Sequence, residues 1–294
     1  YGIRIGSEYA ESNSSILTSL IPRINFGSLL KFSSGHFYFS ETIDLNTSNK
    51  QLSLIGANTV SYTSDPNTYG MTWLHFPNLV NDGVGISIKT GTLSNVIIYG
   101  NPENYNCSLD RTKTYIAPDE IVTEIVNVKA YGVKGGAMTK ISNVSVCYFY
   151  YGMYLTTSNV YVTDANFRGC HYGLSIGNDA KVKGLYGWNI MTLLQIRGAI
   201  SSVNQVRADS VGDHLVEIIS GSSIYLSDLD ADYCMNSIIQ IGTPDTWTTH
   251  QNIIINGIHG RACISKVYNT DSDTEPTATD ITADTLDKYS LISI

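Results

Sequence analysis

A hydrophobic pair with one residue between its members recurs along the second half of the chain: Met153 and Leu155, Leu174 and Ile176, Leu194 and Ile196, Val216 and Ile218, Ile239 and Ile241, Ala262 and Ile264. The second members are 21, 20, 22, 23 and 23 residues apart. In every unit but the last, another small or apolar pair begins eleven or twelve residues before that second member: Val144 and Val146, Ala165 and Phe167, Leu185 and Gly187, Val206 and Ala208, Leu229 and Ala231, with Ile258 and Gly260 in the last unit. Alternate residues of a strand share a face, so two short strands with inward residues at i and i+2 describe one coil of a parallel β-solenoid. Helical repeats run to roughly 33–47 residues and need amphipathic stretches of ten or more, which the frequent Gly, Asn, Asp and Ser interrupt here. The LxxLxLxxN signature of leucine-rich repeats is absent.

The first half carries the same pairs less regularly, at Leu30 and Phe32, Phe37 and Phe39, Ile43 and Leu45, Leu52 and Leu54, Leu74 and Phe76, Ile86 and Ile88, Val96 and Ile98. A short helix is expected from Ser14 to Ile24, interrupted by Pro22 and covering the open end of the first coil. Residues 99–121, rich in Asn, Thr, Asp and Pro, are expected to form a long lateral loop. The expected divisions are a cap region at 1–28, the solenoid at 29–268 and a Thr- and Asp-rich terminal cap or linker at 269–294.

A solenoid also accounts for the composition. Only 15% of residues are charged, while Tyr numbers 20 and Gly 25. The net charge of −8 argues against nucleic-acid or anionic-membrane partners. No run approaches the roughly 18 apolar residues of a membrane span. Five cysteines without a CxxC pair suggest buried thiols rather than a disulfide framework or a zinc knuckle.

The run GHFYFSETIDL followed by KQLSLIGA, and the units ISNVSVCYFYYGMYL and VTDANFRGCHYGLSI, resemble coils of the pectate-lyase-like, right-handed parallel β-helix superfamily. Bacteriophage tailspikes and polysaccharide depolymerases are the most similar branch. The resemblance implies an all-β, single-stranded right-handed parallel β-helix with a short helical cap. It also implies a homotrimeric fibre of the virion tail or extracellular space that binds, and often cleaves, a bacterial surface glycan. Fold alone does not fix chemistry. The NTD, DD, GHG and RIK series of polygalacturonases is missing in that order, as is the RxPxxR context of pectate lyases. Neither pectin chemistry carries over.

Register locates the chemistry. The residue between the members of each first-strand pair points outward, giving Ser145, Asn166, Tyr186, Arg207, Asp230 and His259. The residue after each pair gives a second column of Cys147, Arg168, Trp188, Asp209, Asp232 and Arg261. Asp209 and Asp232 are expected about 5 Å apart on adjacent coils, with Asp230 about 6.8 Å along the strand from Asp232. Glycoside hydrolysis uses two carboxyl groups about 5–5.5 Å apart for retention or roughly 6.5–9.5 Å for inversion. Asp209, Asp232 and Asp230 are therefore the candidate catalytic carboxylates, with Glu217 of the other outward column in reserve. Trp188 and Tyr186 would form a sugar platform, while Arg168, Arg207, His259 and Arg261 would contact an anionic polymer. The rival readings are a non-catalytic adhesin, a subunit interface and simple cross-strand ion pairs. A lyase would use His259 with Arg261 or Arg207. No metal or other cofactor is expected: His214 and Glu217 fall on opposite faces of a strand, and Cys170 lies too close in sequence to His171 to pair with it as nucleophile and base.

Overall fold

The computed structural model describes residues 2–46, 51–58, 70–110, 122–242, 251–260 and 292–293. It is an all-β parallel solenoid with an N-terminal helical cap. Among the described residues, an 11-stranded and a 9-stranded parallel sheet run along the stack, and one two-stranded antiparallel ribbon lies outside them. The inward pairs set the register. Val144, Ala165, Leu185, Val206, Leu229 and Ile258 are successive Cα partners in the larger sheet, as are Met153, Leu174, Leu194, Val216 and Ile239 in the smaller one. Nearly all are fully buried and join one continuous core. The Cα partner of Ile239 on its far side is Ile292, while Ala262 and Ile264 lie outside the described residues.

Each coil has three faces rather than the two that paired strands suggest. In the first coils the larger sheet is made of separate strands: Leu29–Lys31 and Gly35–Tyr38, then Ser53–Ile55 and Thr72–His75. From Gly91–Tyr99 onward, these merge into single strands with a corner inside them. The corner is the residue before each inward pair: Asn95, Asn143, Asp164, Gly184, Gln205, Asp228 and Gly257, all with φ between 53° and 75°. A left-handed residue rotates the chain, so Val182 and Leu185 both point inward although three positions apart. Asn, Asp and Gly tolerate this conformation best, and the Asn143 side-chain amide also donates to Asn95 Oδ1 at 2.8 Å. We call the stretch before the corner the first face, the stretch after it the second face, and the smaller sheet the third face.

The cap helix runs Ala10–Leu20 and ends in a 3₁₀ turn, Ile21–Arg23. It starts four residues earlier than Ser14, and Pro22 sits in the 3₁₀ turn. Leu17 and Ile21 join the core cluster with Phe32 and Phe37. Fully buried Asn13 donates to the carbonyls of Arg4 and Tyr38, and Ser14 Oγ accepts from the amides of Ser40 and Glu41. These side chains satisfy backbone groups at the cap end of the stack.

Within the expected lateral loop, Tyr105–Leu109 form the first strand of an antiparallel hairpin. Tyr105–Leu109 pairs antiparallel with Val122–Val126, and residues 111–121 lie outside the described set. Tyr105, Cys107 and Leu109 bury against Tyr150, Met191, Tyr233 and Met235, so the hairpin covers the corner between the second and third faces over several coils. Cys107, Cys147, Cys170 and Cys234 are buried, and burial pushes the Cys170 thiol up to about 12. No helix among the described residues is long and apolar enough to cross a membrane.

Candidate functional site

The second face carries both outward columns in the expected register. Ser145, Asn166, Tyr186, Arg207, Asp230 and His259 are successive Cα partners. Beside them, Cys147, Arg168 and Trp188 align in the same way. The Asp209 amide donates to Gly187 O and the Asp232 amide to Ala208 O, each at 2.9 Å, which continues the ladder onto both aspartates. The columns also extend toward the N-terminus through His36, Trp73 and Ile97 on one side and Tyr38, His75 and Tyr99 on the other. Arg261 lies outside the described residues.

Burial along this face is uneven. Ser145 and Cys147 are buried despite their outward register, whereas Trp188, Asp209, Asp230 and Asp232 are partly exposed and Arg207 and His259 are exposed. The accessible stretch is therefore the C-terminal half of the face. The Arg168 guanidinium lies 4.4 Å from the Trp188 ring centroid, a cation–π contact that fixes the indole against the coil before it. Arg207 Nε is 3.3 Å from Asp230 Oδ2, with 58% and 34% of the side chains exposed. That pair is a cross-strand ion pair of the ordinary surface type, worth about 0.2–1 kcal/mol, and it occupies Asp230. Asp209 and Asp232 remain the matched carboxylates, one coil apart and thus about 4.8 Å at the backbone.

Glu217 is elsewhere. It projects from the third face, where its Oε2 accepts from Gln195 Nε2 at 2.7 Å, and Gln195 Oε1 in turn accepts from Arg197 Nε at 2.5 Å and Ser175 Oγ at 3.1 Å. The structure does not bring Glu217 to the aspartates. On the same face Tyr131, Tyr151 and Tyr172 stack at 4.7 and 5.3 Å with ring planes within 14°. Their rings lie against one another, so the ladder presents phenol edges and hydroxyls rather than free faces for a sugar. Burial first, then the charge of Glu217, pushes the Tyr172 phenol up to about 12.

One polar cluster has no counterpart in the sequence periodicity. Glu124 of the hairpin accepts from Tyr105 and meets His171 Nδ1, both at 2.5 Å, and Tyr150 stacks on the His171 ring at 4.5 Å. Lys129 sits 4.9 Å from the Tyr150 ring centroid. Burial raises the Glu124 carboxyl, but the hydrogen bonds from His171 and Tyr105 and the charges of His171 and Lys129 outweigh it and hold the group below its ordinary 4.5. The cluster fastens the hairpin to the solenoid. Glu124→Ala is expected to cost about 1–3 kcal/mol, because buried Tyr105 loses its acceptor. Faster amide exchange confined to Tyr105–Leu109 and Val122–Val126 would register the loosened hairpin; unchanged exchange there would contradict this role. A carboxyl with a depressed folded pKa stabilises above its unfolded value and loses that contribution as pH falls through the folded one, so the same loosening is expected in wild type only below pH 4.5.

His214 is similarly engaged, with Nδ1 2.9 Å from Ser237 O and Nε2 3.2 Å from Asp213 Oδ1. Among the described residues, no three His, Cys, Asp or Glu side chains converge in a way that could hold a metal. No family model, curated protein or solved structure matches the chain, so the functional reading rests on the fold and on this face.

Proposed function

We propose that the chain is a tailspike-like receptor-binding protein that lays a bacterial surface polysaccharide, or a teichoic-type polymer, along the second face and hydrolyses it there. The observation that supports this most is the continuation of the ladder onto Asp209 and Asp232, partly exposed and one coil apart beside Trp188. Two carboxyl groups on one face are the pair that glycoside hydrolysis requires. Arg207, Tyr186 and His259 flank the pair and would position successive sugars. Three chains side by side, in a virion tail or another extracellular fibre, would add avidity without tight single sites.

A binding-only adhesin is the second reading, favoured by the Arg168–Trp188 and Arg207–Asp230 contacts, which tie side chains of this face to each other. Incubating wild type with a panel of bacterial surface glycans and analysing product size and ends separates the readings. Shorter products with new reducing ends are expected. Retention without cleavage would leave the adhesin, and products with an unsaturated end absorbing in the near ultraviolet would indicate a lyase.

A further inference from the structure

The outward columns of the second face are open along only part of their length. Trp73 and Ile97 continue the column of Tyr186 and Arg207 toward the N-terminus, yet both are 0% exposed, and Ser145 on the next coil is 4% exposed. Met71, Trp73 and Ile97 form an apolar cluster of their own, apart from the solenoid core, with Tyr99 packed against it. His75 and Cys147 of the neighbouring column are buried as well. A polymer lying on the face therefore cannot continue over these coils. Beyond them both columns open, first at Asn166 and Arg168, then at Tyr186 and Trp188, then at Arg207 and Asp209.

Large side chains build the boundary. Tyr99 and Tyr148 meet edge to face at 5.1 Å, with the charge of Arg168 close enough to act on both phenols. Gly169, the residue after Arg168, leaves room for the Tyr148 ring, since a Cβ there would lie 2.7 Å from Tyr148 Cδ1. One flank is walled too. The hairpin packs on Tyr150, Met191, Tyr233 and Met235, so it runs beside the face from this boundary to the coil of Asp232. Toward the C-terminus the outward columns stay accessible, with Asp230 and Asp232 partly exposed and His259 exposed.

A groove closed at one end admits a polymer by its terminus. Two coils lead from Arg168 to Asp209, about 10 Å at the strand spacing. Sugar units of a chain advance by a length close to one coil spacing, so this stretch holds about two of them.

We propose that the second face is a blind groove that takes the end of a glycan chain, and that Asp209 and Asp232 release short fragments from that end instead of cutting within the chain. The cut rests on the hydrolytic reading above; the blind end rests on burial alone. Each release consumes one water: the glycosidic C–O bond breaks, the anomeric carbon gains the hydroxyl and the leaving oxygen gains the proton.

Size-exclusion chromatography of a time course tests it, with each polymer of the bacterial surface-glycan panel offered at its native length. One short product, about two sugar units long, is expected from the first turnovers, while the remaining polymer shortens slowly. A broad spread of long fragments at early times would overturn the blind groove and leave the hydrolytic reading standing; the polymer would then leave the face over the corner at Asp164 and Gly184. Should wild type cleave none of the panel, the hydrolytic reading fails and binding decides the blind end. The same polymers are then compared at equal mass, intact and cut by partial acid hydrolysis to about a tenth of their length. A blind groove counts chain ends, so the shortened sample is expected to bind about tenfold better by mass. Equal binding by mass, or binding to neither form, would overturn the proposal.

Discussion

Phe167→Ala is expected to destabilise the solenoid by about 3–5 kcal/mol, the largest effect of any single truncation considered. Phe167 is 1% exposed and sits on the inward side of the second face, midway along the stack. Its ring is accommodated by the opposite sheet. Gly85, Gly132, Gly152 and Gly173 occupy matched positions on successive coils of the third face. A Cβ at Gly152 would come within 2.8 Å of Phe167 Cδ1 and 2.6 Å of Gly173 O, so the missing side chain there makes room for the ring. Gly152→Ala is expected to cost about 1–3 kcal/mol by overpacking. Combining the two recovers only part of the penalty, since the clash with the Gly173 carbonyl remains. Urea unfolding of the three variants measures all of this, and a loss below about 1 kcal/mol for Phe167→Ala would contradict the packing.

Acid is expected to weaken the N-terminal coils well before ordinary carboxylates titrate. His75 is 6% exposed, stacks on Tyr38 at 4.2 Å, and its Nε2 lies 2.9 Å from His36 Nδ1. Burial, then the neighbouring His36, lowers its pKa from 6.5 to about 3. Between those values the unfolded chain binds a proton that the folded chain refuses, so stability falls as pH drops through the window and is fully present above 6.5. The whole window is worth on the order of 4 kcal/mol, and about half of that is lost by pH 4.5. His75→Phe should flatten the slope of unfolding free energy between pH 7.5 and pH 4.5. Identical slopes for variant and wild type would show that His75 is not the group responsible.

Much of this architecture was legible in the chain because a parallel solenoid repeats its register. Once Val144, Ala165, Leu185 and Val206 were aligned by their spacing, the outward neighbours followed, and Tyr186, Arg207 and Asp230 fall into the column where the alternation put them. The left-handed corner was also written there. The residue before each inward pair is Asn, Asp or Gly in six of seven coils, Gln205 being the exception, but alternation over a short strand does not reveal a change of phase. Contacts outside the period were not legible. Glu124 and His171 are 47 residues apart, and only the hairpin's packing brings them together. Nor did outward register mean exposure: Ser145, Cys147 and Ser175 point away from the core and are nevertheless covered. Glu217 failed as a partner for the aspartates for a simpler reason, since its column belongs to the other sheet.

The second face is a hydrolytic site only if its matched aspartates do chemistry. The decisive comparison is between wild type and Asp209→Asn/Asp232→Asn on a glycan that wild type cleaves, with binding and product release measured side by side. Both positions lie on the outer surface of the stack, so the fold is expected to persist, and binding through Trp188, Tyr186 and Arg207 should stay within about threefold of wild type. Cleavage is expected to fall by at least about a thousandfold, the scale on which general acid and nucleophile contribute. Cleavage retained within about tenfold in the double variant would place the catalytic groups elsewhere and remove the hydrolytic role assigned to this face.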